Sequence, residues 1–164
     1  MSAYIELLTP MTDLESLLNA LADLGFDASK VEVHQKPVSL FGYAGDERDS
    51  SANIVIRRQN IGISSNDIGF LETAIGYRAL ISGFDHPRFG VSWLSQLNEC
   101  YRVHFAEKEA RLIAEERQRI EAERQRVVEA QRAAIHERAR SMGYSVKEIN
   151  EGNSIRLVLI KRQY

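Results

Sequence analysis

The sequence predicts an α+β fold, a two-layer sandwich in which a mainly antiparallel sheet carries two helices on one face. Strand-like segments outnumber helical ones, and short turns between several of them favour antiparallel pairing. In addition, the 52 residues from Val91 to Met142 contain neither Gly nor Pro, which predicts one long second helix that extends into a charged rod. We therefore expect a single domain of residues 1–164 with a projecting helical insertion at about 107–134.

The first half of the chain alternates between strand and turn signals. Leucines recur at helical spacing between Leu14 and Leu24, and Gly25 ends that predicted helix. Pro37 is expected to break one strand into two, and the polar residues 44–51 are expected to form a loop. The predicted elements are a strand at 3–9, the helix, strands at 30–36, 39–43 and 52–58, and one or two strands of a hairpin within 70–82.

The long helix is expected to start as a packed element and to continue as a rod of roughly 78 Å in total length at 1.5 Å per residue. Trp93 is interpreted as a core anchor in its first half. A hairpin of 144–150 and 154–161 follows, with its turn at Glu151, Gly152 and Asn153. Its last strand is apolar on both faces at the centre, which predicts a position inside the sheet.

The rod carries one apolar position in every seven, as in a coiled-coil seam: Ile113, Ile120, Val127 and Ala134. The companion position four residues later is polar in every repeat, which is poor for a stable two-stranded coil: Arg117, Arg124, Gln131 and Arg138. Many Glu–Arg pairs at helical spacing predict a helix that is stable in water. We weigh equally a weakly self-pairing coil and a helix that docks on another protein; a bare linker helix is the remaining interpretation.

Composition excludes several classes of function. The net charge of −2 argues against sequence-independent binding of nucleic acid, although it leaves a local basic patch open. Cys100 is the only cysteine, so a disulfide within the chain and a cysteine-based zinc site are excluded. The N-terminal segment lacks the pattern of a signal peptide, and no apolar run is long enough to cross a membrane. We expect a cytoplasmic protein without cofactor or metal.

Polar residues concentrate in and beside the loops of the central sheet. His34, Arg57, Arg58, Asn66 and Asp67 are the candidate ligand-binding residues, because guanidinium groups suit a phosphate or carboxylate. The simpler interpretation is that Asn66 and Asp67 are turn formers and that Arg57 pairs with Asp46 or Glu47. The sequence shows no catalytic constellation, no metal-ligand spacing and no phosphate-binding loop.

Three segments, VEVHQKPVSLFGYAGDERDSSANIVIRR, SSNDIGF and NSIRLVLIKR, resemble the family named for hypothetical chloroplast open reading frame thirty-five. The resemblance covers residues 1–106 and 135–164, and it implies a small cytoplasmic or stromal protein with no established activity. The chain departs from the family between Tyr101–His104 and Ala139–Tyr144, where about 28 extra residues lengthen a short helix. Twenty-eight residues are four heptads, so the phase of the helix is nearly kept.

These observations favour a non-catalytic protein-interaction module, an adaptor or subunit of a larger assembly that docks or self-associates through the rod. The alternative is a regulator that binds a small anion or nucleotide through Arg57 and Arg58. An enzyme that uses His34 with Asp67 or Asp46 is the third hypothesis, for which the sequence gives no geometric support.

Overall fold

The computed structural model describes residues 3–161. They divide into two compact units, the first ending at Ala110 and the second beginning at Arg111. The 51-residue helix α3 (Val91–Ser141) begins in the first unit and ends in the second, which confirms the prediction of one uninterrupted helix. In the described part of the chain, no helix is long and apolar enough to cross a bilayer.

The elements of the first unit that precede α3 are β1 (Tyr4–Leu8), α1 (Leu14–Asp23), β2 (Val31–Phe41), β3 (Glu47–Ile56), a 3₁₀ turn (Arg58–Asn60), β4 (Ile68–Thr73), β5 (Gly76–Ser82) and the short helix α2 (His86–Phe89). The five strands form one antiparallel sheet with the strand order β1-β5-β4-β3-β2. This sheet and the helices confirm the α+β fold class. The β4–β5 hairpin confirms the hairpin predicted within 70–82.

One face of this sheet carries the main core, and both long helices pack on it. Ile54, Phe70 and Ala79 are paired across β3, β4 and β5, so they share a face. The same cluster contains Leu17 and Leu21 of α1 and Trp93, Leu97 and Tyr101 of α3. Trp93 is a core anchor, as predicted. Its ring packs against the rings of Phe26, Phe89 and Phe70 at centroid distances of 6.2, 5.3 and 6.5 Å. A smaller cluster of Leu40, Ala52, Val55 and Leu80 forms separately from it.

The start of α1 is fixed by Asp13, whose carboxylate accepts a hydrogen bond from the Ser16 backbone N–H at 2.9 Å. Tyr101 of α3 reaches the same corner, since its hydroxyl accepts hydrogen bonds from the backbone N–H groups of Thr12 and Asp13 at 3.0 Å each. Lys108 adds an ion pair to Asp13 at 2.6 Å. The first five turns of α3 are thus bound to α1 within the first unit.

Two predicted boundaries in the sheet are wrong. The sequence predicts that Pro37 divides residues 30–43 into two strands, but β2 runs without interruption from Val31 to Phe41. β2 lies at the edge of the sheet and its register shifts between Val33 and Val38, and an edge strand with a bulge tolerates proline. The polar residues predicted as a loop are mostly part of β3, which begins at Glu47.

The second unit contains the rest of α3 and a separate two-stranded sheet of β6 (Tyr144–Glu151) and β7 (Ser154–Lys161). The predicted turn is confirmed, with Gly152 at a positive φ of 64°. The prediction that β7 lies inside the main sheet is wrong. β7 pairs only with β6 among the described strands, and Leu159 and Ile160 remain 56% and 47% exposed. An apolar pattern in a strand indicates that the strand is packed against other residues, but it does not identify the sheet or helix that supplies them.

Candidate functional site

Three of the predicted ligand-binding residues lie in one polar network in the first unit, which we call the Arg57 network (His34, Glu32, Arg57 and Asp67). The Arg57 guanidinium bridges two carboxylates. Its Nη2 and Nε donate to Glu32 Oε2 at 2.7 and 3.0 Å, and its Nη1 donates to Asp67 Oδ2 at 2.8 Å. The prediction that Arg57 pairs with Asp46 or Glu47 is therefore wrong; Asp46 pairs with Arg48 at 2.9 Å.

Asp67 is the buried end of the network, with 1% of its surface exposed. Oδ2 also accepts a hydrogen bond from the Phe41 N–H at 2.9 Å, and Oδ1 accepts one from the Arg58 N–H at 2.8 Å. A charge buried this deeply needs such partners. One carboxylate thus holds the end of β2, the end of β3 and the start of β4 together, which makes Asp67 a structural residue rather than a solvated turn former.

His34 lies at the other end of the network, where its side chain is 34% exposed and that of Glu32 is 41% exposed. Its Nε2 lies 3.0 Å from Glu32 Oε2, so the alternation of the strand places both side chains on one face, as the sequence indicates. The Arg57 hydrogen bonds hold the pKa of Glu32 below its usual value, against the opposing effect of burial. Glu32 itself was not among the predicted site residues, although its two-residue spacing from His34 is the signal for it.

Asn66 belongs to a second buried cluster. Its side-chain oxygen accepts from the Tyr43 N–H at 3.1 Å, and its backbone N–H and Nδ2 donate to Asp85 Oδ2 at 2.9 and 3.1 Å. The Ser82 hydroxyl donates to the same Asp85 oxygen at 2.6 Å. Ser82 and Asp85, both at most 1% exposed, are polar core residues that the sequence analysis missed. The only sequence signal for them is their place at the end of the β5 segment.

Arg58 points elsewhere. Its Nη1 donates to the backbone carbonyls of Gly42 and Tyr43, which braces the turn between β2 and β3. A shallow surface depression of about 410 Å³ lies beside it, lined by Arg58, Gln59, Gly62 and Ile63. The structure therefore does not bring the two arginines to one ligand: Arg57 is engaged by carboxylates, and Arg58 lies beside a separate hollow.

The chemistry of these clusters is that of a scaffold. The charge of Arg57 is matched by Glu32 and Asp67, so an incoming anion would have to displace a carboxylate that is already hydrogen-bonded. His34 is linked to Glu32 and makes no hydrogen bond to Asp67 or Asp46. Among residues 3–161, no three His, Cys, Asp or Glu side chains are grouped so that they could hold a metal ion.

The predicted seam residues form an exposed apolar stripe on α3 in the second unit, which we call the α3 stripe (Ile113, Ile120, Val127 and Ala134). Ile113, Ile120 and Val127 are 54%, 59% and 47% exposed, and Ala134 is also exposed. Most of the other residues on this part of the helix are charged, Gln or Ala, although Leu112, Val128 and Ile135 are also apolar and are 51%, 45% and 44% exposed. Three Glu–Arg pairs at i,i+3 spacing support this part of the helix: Glu116–Arg119, Glu121–Arg124 and Glu123–Arg126.

The β6–β7 hairpin covers a different side of the same helix. Glu148 of β6 accepts hydrogen bonds from Arg132 and, at 2.8 Å, from His136, and Ala139 is 5% exposed. Arg132 and Ala134 are two residues apart, about 200° around a helix of 3.6 residues per turn. The hairpin therefore leaves the side with the α3 stripe uncovered.

No protein-family model, curated protein or solved structure matches this chain. The Arg57 network joins distant segments of the first unit, and the α3 stripe gives the second unit an uncovered apolar surface.

Proposed function

We propose that the protein is a non-catalytic interaction module that associates through the α3 stripe. The observation that carries this proposal is the exposure of three β-branched aliphatic side chains at intervals of seven residues on a mostly polar stretch of helix. In coiled coils, apolar residues that recur at this interval form one of the two seam positions that are buried against another helix. Such a surface suits an adaptor or a subunit of a larger assembly.

The polar clusters support a non-catalytic role for the first unit. Asp67, Asn66 and Arg57 are each engaged by protein groups, and these contacts join segments that are distant in sequence. A group that serves a reaction must instead present an atom to a substrate. The first unit is thus proposed to be the folded body from which the interaction surface is presented.

Site-specific photo-crosslinking tests the proposal. A benzophenone amino acid replaces Ile120 on the α3 stripe, or Ala122, which is exposed but lies about 200° further around the helix. In cells of the natural source and in the purified protein, we expect protein adducts from position 120 and none from position 122. The adducts should disappear when Val127 is also replaced by Gln. If position 120 gives no adduct, or position 122 gives the same ones, the stripe is not an interaction surface.

The alternative function is the binding of a small anion or nucleotide. Because Arg57 is engaged by carboxylates, the candidate binding site for it is Arg58 and the surface depression beside it. If it holds, phosphate or a nucleotide raises the thermal midpoint of the wild-type chain, and Arg58→Ala removes the rise. Gln59→Ala changes the same surface depression without removing a charge, so this variant should keep part of the ligand-induced rise in the thermal midpoint. The absence of any shift in the wild-type chain would eliminate this function.

Membership in the family of hypothetical chloroplast open reading frame thirty-five also remains a proposal. It is supported by the three sequence segments that resemble the family, two of which contain the residues of the Arg57 network. A cytoplasmic location is proposed on the same basis, together with the single cysteine.

A further inference from the structure

The flanks of the α3 stripe differ in charge. A residue three positions after a stripe residue lies about 60° to one side of it, and a residue four positions after lies about 40° to the other side. The first side is acidic in three of four repeats, and the second side is basic in three of four. The acidic flank is Glu116, Glu123, Ala130 and Glu137; the basic flank is Arg117, Arg124, Gln131 and Arg138.

This asymmetry decides which partner and which orientation fit. When two identical helices lie parallel and in register, the two-fold axis runs along them, and the left flank of one meets the right flank of the other. An acidic residue then meets a basic one in three of the four repeats, and Ala130 meets Gln131 in the remaining one. When the same helices lie antiparallel, each flank meets its own copy, so Glu123 faces Glu123 and Arg124 faces Arg124. Like charges at such positions are destabilising.

We infer that the partner of the α3 stripe is a second copy of the chain, aligned parallel and in register. This inference rests on the proposed function and names its partner. Glu116 faces Arg117 of the second copy, Glu123 faces its Arg124, and Glu137 faces its Arg138, each twice because of the symmetry. Ile113, Ile120 and Val127 meet their own copies between these pairs.

The parallel arrangement accounts for the polar residues that lie four positions after each stripe residue. A polar side chain there would destabilise a buried core, but it suits the flank of a helix pair, where it stays at the edge of the interface. Neither Arg117 nor Arg138 forms an ion pair with any residue between 3 and 161, so both guanidinium groups are available to a partner. Arg124 is held only loosely, 3.9 Å from Glu121 and 77% exposed.

Disulfide trapping tests the orientation. Single cysteines are placed at Ile113 or Ala134 in a Cys100→Ala background, with Trp93 fluorescence as the check on folding. In the parallel register each variant forms a disulfide-linked dimer with itself, because equivalent residues face each other across the seam and can reach the Cβ–Cβ distance of roughly 3.5–4.5 Å that a disulfide needs. A mixture of the two gives no linkage between them, since the positions are 21 residues or about 32 Å apart along the helix. The opposite pattern would show antiparallel pairing and overturn the inference.

Charge reversal tests the flanks. Glu116→Arg with Glu123→Arg makes both flanks basic, and we expect the dissociation constant of the dimer to rise by about tenfold or more. Glu115→Arg with Glu129→Arg changes the net charge by the same amount on the far side of the helix and should leave the constant unchanged. Adding Arg117→Glu and Arg124→Glu to the first variant exchanges the flanks and should restore pairing.

The two proposals fail separately. A purified chain that is monomeric by sedimentation at all accessible concentrations overturns the second-copy inference. If position 120 then still gives a crosslink to a different protein in cells, the interaction module stands and its partner is another chain. If no crosslink forms in either setting, both proposals fall.

Discussion

Asp67 illustrates how one side chain can organise three segments. It accepts hydrogen bonds from Phe41, Arg57 and Arg58 while it is almost fully buried. The sequence indicates that a polar residue here is important, but the same letters fit a solvated turn. Burial depends on strands that lie far apart in the chain, so local sequence signals cannot reveal it. For the same reason the sequence suggested Asp46 and Glu47 as partners of Arg57, and the structure pairs Arg57 with other carboxylates.

We predict that Asp67→Asn destabilises the protein by about 3 kcal/mol. The substitution keeps the shape but removes the charge that faces Arg57, and it places an amide N–H group against backbone donors. Urea denaturation followed by Trp93 fluorescence measures the change. Asp49→Asn, on an exposed position of β3, should change the free energy of unfolding by less than about 0.5 kcal/mol. Equal effects would show that the Asp67 hydrogen bonds contribute little.

The lowered pKa of Glu32 predicts a pH dependence of stability. Because Arg57 lowers the pKa in the folded state, the carboxylate stabilises the fold at neutral pH, and this contribution is lost as the pH falls below about 4.5. The side chain is 41% exposed, so we expect no more than about 1 kcal/mol. Glu32→Gln should therefore be less stable than wild type at pH 7 and should approach it at pH 3. Glu72→Gln, at an exposed position of β4, should follow the wild-type profile throughout.

At the scale of the element, β4 depends on a missing side chain. A Cβ atom on Gly69 would lie 2.6 Å from the Cβ of Ala52 and 3.0 Å from Leu40, inside the smaller cluster. We predict that Gly69→Ala costs about 1–3 kcal/mol by overpacking, measured by thermal or urea unfolding. Gly62→Ala is the matched control, since its nearest neighbours are the flexible ends of Ser65 and Arg88. Similar losses in both variants would point to backbone effects instead.

The β6–β7 hairpin is the element for which the sequence was most misleading. Two strands alone are marginally stable in water, and this pair is bound to α3 through Glu148. We predict that Glu148→Ala speeds amide hydrogen exchange in β6 and β7 and leaves β3 and β4 unchanged. Lys147→Ala, on the adjoining exposed position, should leave exchange in both sheets unchanged. If Glu148→Ala has no effect, apolar contacts hold the hairpin to the helix.

The elements that the sequence predicted well are those whose signal is local. The 51 residues of α3 follow from the absence of Gly and Pro, and the β4–β5 and β6–β7 hairpins follow from their turns. The sheet to which a strand belongs is a long-range property. The apolar pattern of β7 predicted a central strand, and the Pro in β2 predicted a break. Both predictions were wrong, because neither pattern carries information about which strands lie beside it in the sheet.

At the scale of the whole molecule, the two units predict separable behaviour. Deletion of residues 113–126 removes two heptads and keeps the helical phase nearly unchanged. Trp93 and its core partners all precede Ala110, so we expect the unfolding midpoint reported by Trp93 fluorescence to be unaffected. The helical circular dichroism signal should fall by an amount that matches 14 of the 51 residues of α3, and self-association should be lost. A lower Trp93 midpoint would show that the first unit needs the deleted segment.

The order of strands in the sheet bears on how the chain folds while it is being made. β1 is the first strand in the described chain, yet its neighbour in the sheet is β5, which ends at Ser82. At about 5–20 residues per second, a ribosome needs roughly 4–15 s after the synthesis of β1 to complete β5, the strand with which β1 pairs. Throughout that interval Ile5 and Leu7 have no sheet partner, and a nascent chain in this state is a natural client for a chaperone.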